Sequence, residues 1–107
     1  MHIVINLDET VTAPTIPKTL KEMIVELNHK WPSEATCVTQ ESDGAILFWS
    51  AAIEDVREAR SKASLENGLV PLLGLGKQVD CVLYTVEDQC YVATDWQTAV
   101  VTLDQLE

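Results

Sequence analysis

The sequence predicts an α+β domain: a single antiparallel sheet of about five to six strands, built on two hairpins and packed by two helices. Three observations carry that reading. Asp43-Gly44 and Glu87-Asp88 each sit between runs of β-branched, aromatic and aliphatic residues. Leu20, Met23, Ile24, Leu27 and Trp31 recur at the helical period. The stretch after Ser50 places acids first, bases later and an Asn-Gly stop at its end. The 107 residues fit one domain, and a 47% hydrophobic fraction is enough to build one core.

His2 to Leu7 is short and β-branched, and reads as a strand. The threonines and prolines of Thr10 to Pro17 form a loop into the first helix, with Thr15 as its cap and Pro17 in its first turn. Pro32 disfavours helical geometry at the residue before it, so this helix should end near Trp31. Ala35 to Trp49 then reads as a hairpin. A two-residue Asp43-Gly44 loop sets Val38 opposite Trp49 and Gln40 opposite Leu47, and a three-residue loop moves the pairs by one. The residues leave both open.

Ser50 is the expected N-cap of the second helix, Asn67-Gly68 its stop, and Ile53, Val56, Ala59 and Ala63 its thin apolar face. Leu69 to Lys77 is an apolar connection broken by Pro71, Gly74 and Gly76. The second hairpin joins Val79–Val86 to Cys90–Thr94. Its register pairs Thr85 with Cys90, Tyr84 with Tyr91, Leu83 with Val92, Val82 with Ala93 and Cys81 with Thr94. Cys81 and Cys90 are not opposite each other there, which argues against a disulfide. Ala99 to Thr102 is a last short strand, followed by an acidic tail, Leu103 to Glu107.

Composition narrows the function classes. The net charge is −10, and Gln78 to Glu107 contributes −6 of it without one Lys, Arg or His. Such a surface repels nucleic acid and anionic membrane and attracts basic protein. The seven Lys and Arg residues form no stripe interleaved with aromatics. No apolar run approaches the ~20 residues of a membrane span. MHIVINLDET lacks the basic and apolar regions of a signal peptide. Three widely spaced cysteines read as reduced thiols of a cytosolic protein.

Catalytic and ligand motifs are weak. Gly74-Leu75-Gly76-Lys77 lacks the Ser or Thr and the following helix of a phosphate loop. His2, His29, Cys37, Cys81 and Cys90 show no metal-ligand spacing, so neither a metal nor a cofactor is expected. The adjacent acids Asp8-Glu9, Glu54-Asp55 and Glu87-Asp88 read as solvated turn and helix residues, and no catalytic residue is assigned. A protein interface remains. Glu41, Asp43, Glu87 and Asp88 can share one sheet edge, with Asp95 and Trp96 as an acidic residue beside an aromatic anchor.

The chain also resembles small acidic proteins of tailed bacteriophages, a loosely defined family with little established function. The matching residues are Trp31-Pro32, Ala35-Thr36, Gln40, Asp43-Gly44 and Phe48-Trp49, then Ala93-Thr94-Asp95-Trp96 and Ala99 to Thr102, about a third of the chain. Ser33-Glu34 stands where the family often has glycine. The resemblance implies expression in a bacterial host cytoplasm. The expected function is therefore a non-enzymatic phage-type protein that binds and modulates or inhibits a host protein, one with a basic nucleic-acid-binding surface. DNA mimicry is a subset of that reading. B-DNA carries one charge per about 1.7 Å, whereas same-face strand residues lie roughly 6.6 Å apart, so six acids in thirty residues are sparse for a full mimic. The alternative is a virion structural or assembly accessory, or a domain that self-associates as a homodimer.

Overall fold

The computed structural model describes residues 13–62, 69 and 73–106. The strand expected at 2–7 and the Asn67-Gly68 stop lie outside these residues. The first helix, α1 (Leu20–Leu27), begins at a capping box: Thr19 Oγ1 accepts from the Glu22 N–H, and Glu22 Oε1 accepts from the Thr19 N–H. Thr19 therefore replaces the expected Thr15, which instead forms a parallel bridge with Val92. The helix also ends before Trp31. Asn28 adopts φ +50°, a conformation asparagine tolerates, and its N–H caps the Ile24 and Val25 carbonyls. Trp31 still reaches the core, edge-on to Phe48 with ring centroids 5.4 Å apart.

Strands β1 (Cys37–Gln40) and β2 (Ala45–Trp49) pair antiparallel with Cys37 opposite Trp49 and Gln40 opposite Ile46. The three-residue loop is thus the one adopted. The Glu41 N–H bonds the Ala45 carbonyl, the Gly44 N–H bonds the Glu41 carbonyl, and Gly44 takes φ +98°. A Cβ at Gly44 would lie 3.2 Å from Cys90 Cβ, so the turn itself is packed.

Helix α2 (Ile53–Lys62) starts two residues later than a Ser50 cap requires. Ser50 is held elsewhere: its N–H and hydroxyl both bond the Lys77 carbonyl. A 3₁₀ turn (Leu75–Lys77) then leads into β3 (Gln78–Leu83), which pairs antiparallel with β2, Ala45 opposite Leu83. The order β1-β2-β3 makes β3 an edge among the described residues.

The expected single sheet is divided in two. β4 (Thr85–Val86) and β5 (Gln89–Cys90) form a separate two-stranded hairpin. Its tip follows the expected register, Thr85 opposite Cys90, with Glu87 and Asp88 both at positive φ as a primed two-residue turn requires. The pairs Leu83–Val92, Val82–Ala93 and Cys81–Thr94 do not form. The backbone groups of Val92 are taken instead by the 14–16 segment, its N–H bonding the Pro14 carbonyl and its carbonyl receiving the Ile16 N–H. Val101 makes a two-bond antiparallel bridge to Val38 on the outer side of β1. The acidic tail forms one short helical turn, α3 (Leu103–Leu106), with Gln105 Oε1 receiving the Thr102 N–H.

The result is an α+β fold with two small antiparallel sheets and three α-helices among the described residues. Both faces of the larger sheet are covered. Leu20, Met23, Ile24, Ile46, Phe48 and Val92 pack on the α1 side; Cys37, Leu47, Trp49, Val56 and Leu69 pack on the α2 side. That double coverage explains why β1 is buried at every position. No helix among the described residues is long and apolar enough to cross a membrane.

Candidate functional site: the acidic sheet edge

The β1–β2 turn and the β4–β5 hairpin occupy the same end of the molecule, touching where Gly44 meets Cys90 and the Tyr91 backbone. Asp43, Glu87 and Asp88 are exposed there. Asp43 Oδ1 receives the Ala45 N–H and leaves its other oxygen to solvent. Beside them two apolar side chains stand in water, Leu83 at 50% and Val86 at 41% exposure. Exposed aliphatic residues thus stand beside three solvent-facing acids at this end of the sheet.

Asp80 and Cys81 extend this edge along β3. Burial pushes the Cys81 thiol up, and the Asp43 and Asp80 carboxylates push it further. A thiol so placed is a poor nucleophile at neutral pH. Cys37 is raised by burial as well. All three cysteines are free. Among the described residues, no three His, Cys, Asp or Glu side chains converge as metal ligands do.

Asp80 Oδ2 is hydrogen-bonded to His29 Nε2 at 2.7 Å, and Asp80 Oδ1 receives the Cys81 N–H. The His29 bond first, and then the backbone N–H, hold its carboxyl below the usual range. A lowered folded-state value means stabilisation present above the ordinary carboxylate range and lost as pH falls through the folded value. The side chains are about one-third exposed, so solvent screening limits the effect to about 1 kcal/mol. Asp80→Asn is expected to destabilise at neutral pH and to converge on the parent as pH falls through the lowered carboxyl value and Asp80 takes up its proton. Urea unfolding at several pH values checks this, and an unchanging difference would remove the carboxylate from the balance.

Three residues expected at the interface serve inside the fold. Asp95 Oδ1 receives the Leu20 N–H at 2.9 Å, pinning the 95–99 turn to the start of α1. Glu41 Oε1 receives the Leu69 N–H at 3.0 Å. Trp96 is buried at 7% exposure, not an exposed anchor, with the Arg60 guanidinium 5.5 Å from its ring centroid. Only Asp43, Glu87 and Asp88 of the expected set remain solvent-facing.

Two residues escaped the sequence reading. Gln40 is fully buried. Its Nε2 donates to the Gly44 and Tyr91 carbonyls, and its Oε1 accepts from the Ala93 N–H at 2.8 Å. One amide thereby locks the first turn to the segment that carries the second hairpin. Arg60, one of the late bases of the second helix, is 4% exposed and donates Nη1 to the Gln40 carbonyl at 2.7 Å. The signal was its spacing: Arg60 follows Ile53 by seven and Val56 by four, on the apolar stripe.

Compared with known proteins, the chain matches no family model, no curated protein and no solved structure.

Proposed function

We propose that this is a non-enzymatic protein-binding domain that docks its acidic β3–β5 edge onto a basic surface of a host protein and modulates or inhibits that protein. The observation that carries the reading is the pairing of exposed Leu83 and Val86 with Asp43, Glu87 and Asp88 at one end of the sheet. The apolar pair supplies area removed from water, and the acids supply steering and orientation. The bacterial host follows from the resemblance to phage proteins. A nucleic-acid-binding target follows from the charge, since such proteins present the basic grooves that an acidic edge fits.

The open edge of β3 also favours a second reading, self-association by strand pairing. Like charge opposes it: a copy laid against this edge brings Asp80, Glu87 and Asp88 near their counterparts. A basic partner has no such penalty.

The test is affinity capture from bacterial lysate with the parent chain and with the double variant Glu87→Lys/Asp88→Lys. Both residues are exposed turn positions, so the variant should stay folded. Reversal of two rim charges is expected to weaken binding of the captured protein by at least about tenfold, mainly through association rate, and salt should weaken the parent complex. Equal capture by both chains would remove the hairpin from the interface, and a dimer by light scattering would favour the second reading.

A further inference from the structure

The outer side of β3 offers backbone as well as side chains. At the β1–β2 turn the Glu41 N–H bonds the Ala45 carbonyl, and Val38 turns both its N–H and its carbonyl outward to Val101. Along an antiparallel strand, residues bonding to one neighbour alternate with residues turned to the other side. Ala45 and Leu47 therefore bond toward β1, and Ile46 and Phe48 bond toward β3. Their partners Val82 and Asp80 face back to β2, which leaves the N–H and carbonyl of Cys81 and Leu83 pointing away from the sheet. Among the described residues no strand pairs with that side.

The side chains divide by face. Asp80 and Val82 stand on the α1 side, with the Phe48 and Ile46 they pair with. Cys81 and Leu83 stand on the opposite face, where Cys81 is exposed and Leu83 is half-exposed. Asp43 and Asp80 both lie close enough to Cys81 to act on its thiol. The edge thus presents an aliphatic surface on one face and carboxylates around it.

One outward donor is already held. Asp80 Oδ1 receives the Cys81 N–H, and Asp80 Oδ2 is bonded to His29. A charged side chain laid over an edge N–H guards against indiscriminate strand pairing. A strand that reaches Cys81 must displace that carboxylate. A Lys or Arg on the incoming strand gives the carboxylate a new partner, and a neutral residue does not. A second copy of this chain brings further carboxylates and meets like charge.

We propose that the partner docks here as an added β-strand: an extended segment that lays aliphatic residues beside Cys81 and Leu83 and alternates them with basic residues set against Asp80. This rests on the reading of the β3–β5 edge as a docking surface, and makes the partner's backbone the element recognised. A folded basic groove would satisfy that reading without a strand.

The test is NMR titration of the full chain with a capped Lys-Val-Lys-Val-Lys-Val peptide and with two N-methylated copies, one methylated on its valines and one on its lysines. All three carry the same side chains and charge, and each copy lacks the N–H groups along one edge. The unmethylated peptide is expected to saturate, to shift the Leu83 N–H and to slow its exchange. One copy should bind as the parent peptide does, and the other at least about tenfold more weakly, the worth of one hydrogen bond. Loss in the valine copy means an antiparallel strand, and loss in the lysine copy a parallel one. Equal affinity of all three peptides would overturn strand addition and leave a purely charged edge. No binding by any peptide, while capture from lysate succeeds, would overturn it and leave a folded partner; failure of the capture as well would remove the edge itself. A Leu83 N–H already slow to exchange in the free chain, or a dimer that the peptide dissociates, would show the edge occupied by this chain and overturn the proposal too.

Discussion

Replacing Gln40 with leucine is expected to cost about 3–5 kcal/mol of folding stability, as much as emptying a large core position. Leucine fills much of the volume, so the loss is in polar pairing rather than packing. The Ala93 N–H is left buried without an acceptor, and the Gly44 and Tyr91 carbonyls lose their donor. Each stranded group costs about 1–3 kcal/mol, the carbonyls toward the low end. Gln40→Glu keeps the acceptor for Ala93 but gives up both donations at neutral pH, so it should fall between parent and leucine. Its deficit should shrink on acidification, when the carboxyl regains a proton to donate. Urea unfolding at pH 7 and pH 4 measures both. A leucine variant within about 1 kcal/mol of the parent would mean that water replaces the amide at no cost.

The second large effect is at Trp49, which is fully buried on the α2 side of the sheet beside Cys37, Leu47, Val56 and Leu69. Its indole N–H donates to Thr39 Oγ1 at 2.8 Å. Truncation to alanine empties a site that α2 alone cannot refill, and should cost about 3–5 kcal/mol. That is a large share of the ~5–15 kcal/mol typical of a domain, so partial unfolding at 37 °C is expected. Trp49→Phe retains a ring and strands only the Thr39 hydroxyl, and should cost about 1–2 kcal/mol. Equilibrium denaturation checks the ranking, and an alanine variant no worse than phenylalanine would contradict it.

Local signals in the chain foretold local structure. Asp43-Gly44 and Glu87-Asp88 marked both turns because positive φ is a property of the turn residues themselves. The Leu20, Met23, Ile24 stripe marked the buried face of α1 for the same reason. The Thr19–Glu22 box was legible too, but the prolines drew the start of the helix upstream to Thr15. What escaped depends on partners far along the chain. Asp95 meets the Leu20 N–H across 75 residues, Gln40 meets Ala93 across 53, and Glu41 meets Leu69 across 28. An acid that satisfies a distant backbone N–H looks the same in sequence as one facing solvent. The division of the sheet was hidden likewise, because the 14–16 segment takes the Val92 partner expected for Leu83 through backbone groups that every residue carries.

These internal ties sharpen the candidate site. Asp95, Trp96 and Glu41 hold the fold in place, and the solvent-facing remainder is Asp43, Glu87 and Asp88 around Leu83 and Val86. Amide hydrogen exchange on the chain alone and in complex with its captured host protein tests that edge most directly. The account predicts slowed exchange confined to residues 78–90 and the 41–45 turn, with the outer face of α1 around Val25 unchanged. Protection centred on α1, or no change across 78–90, would contradict it.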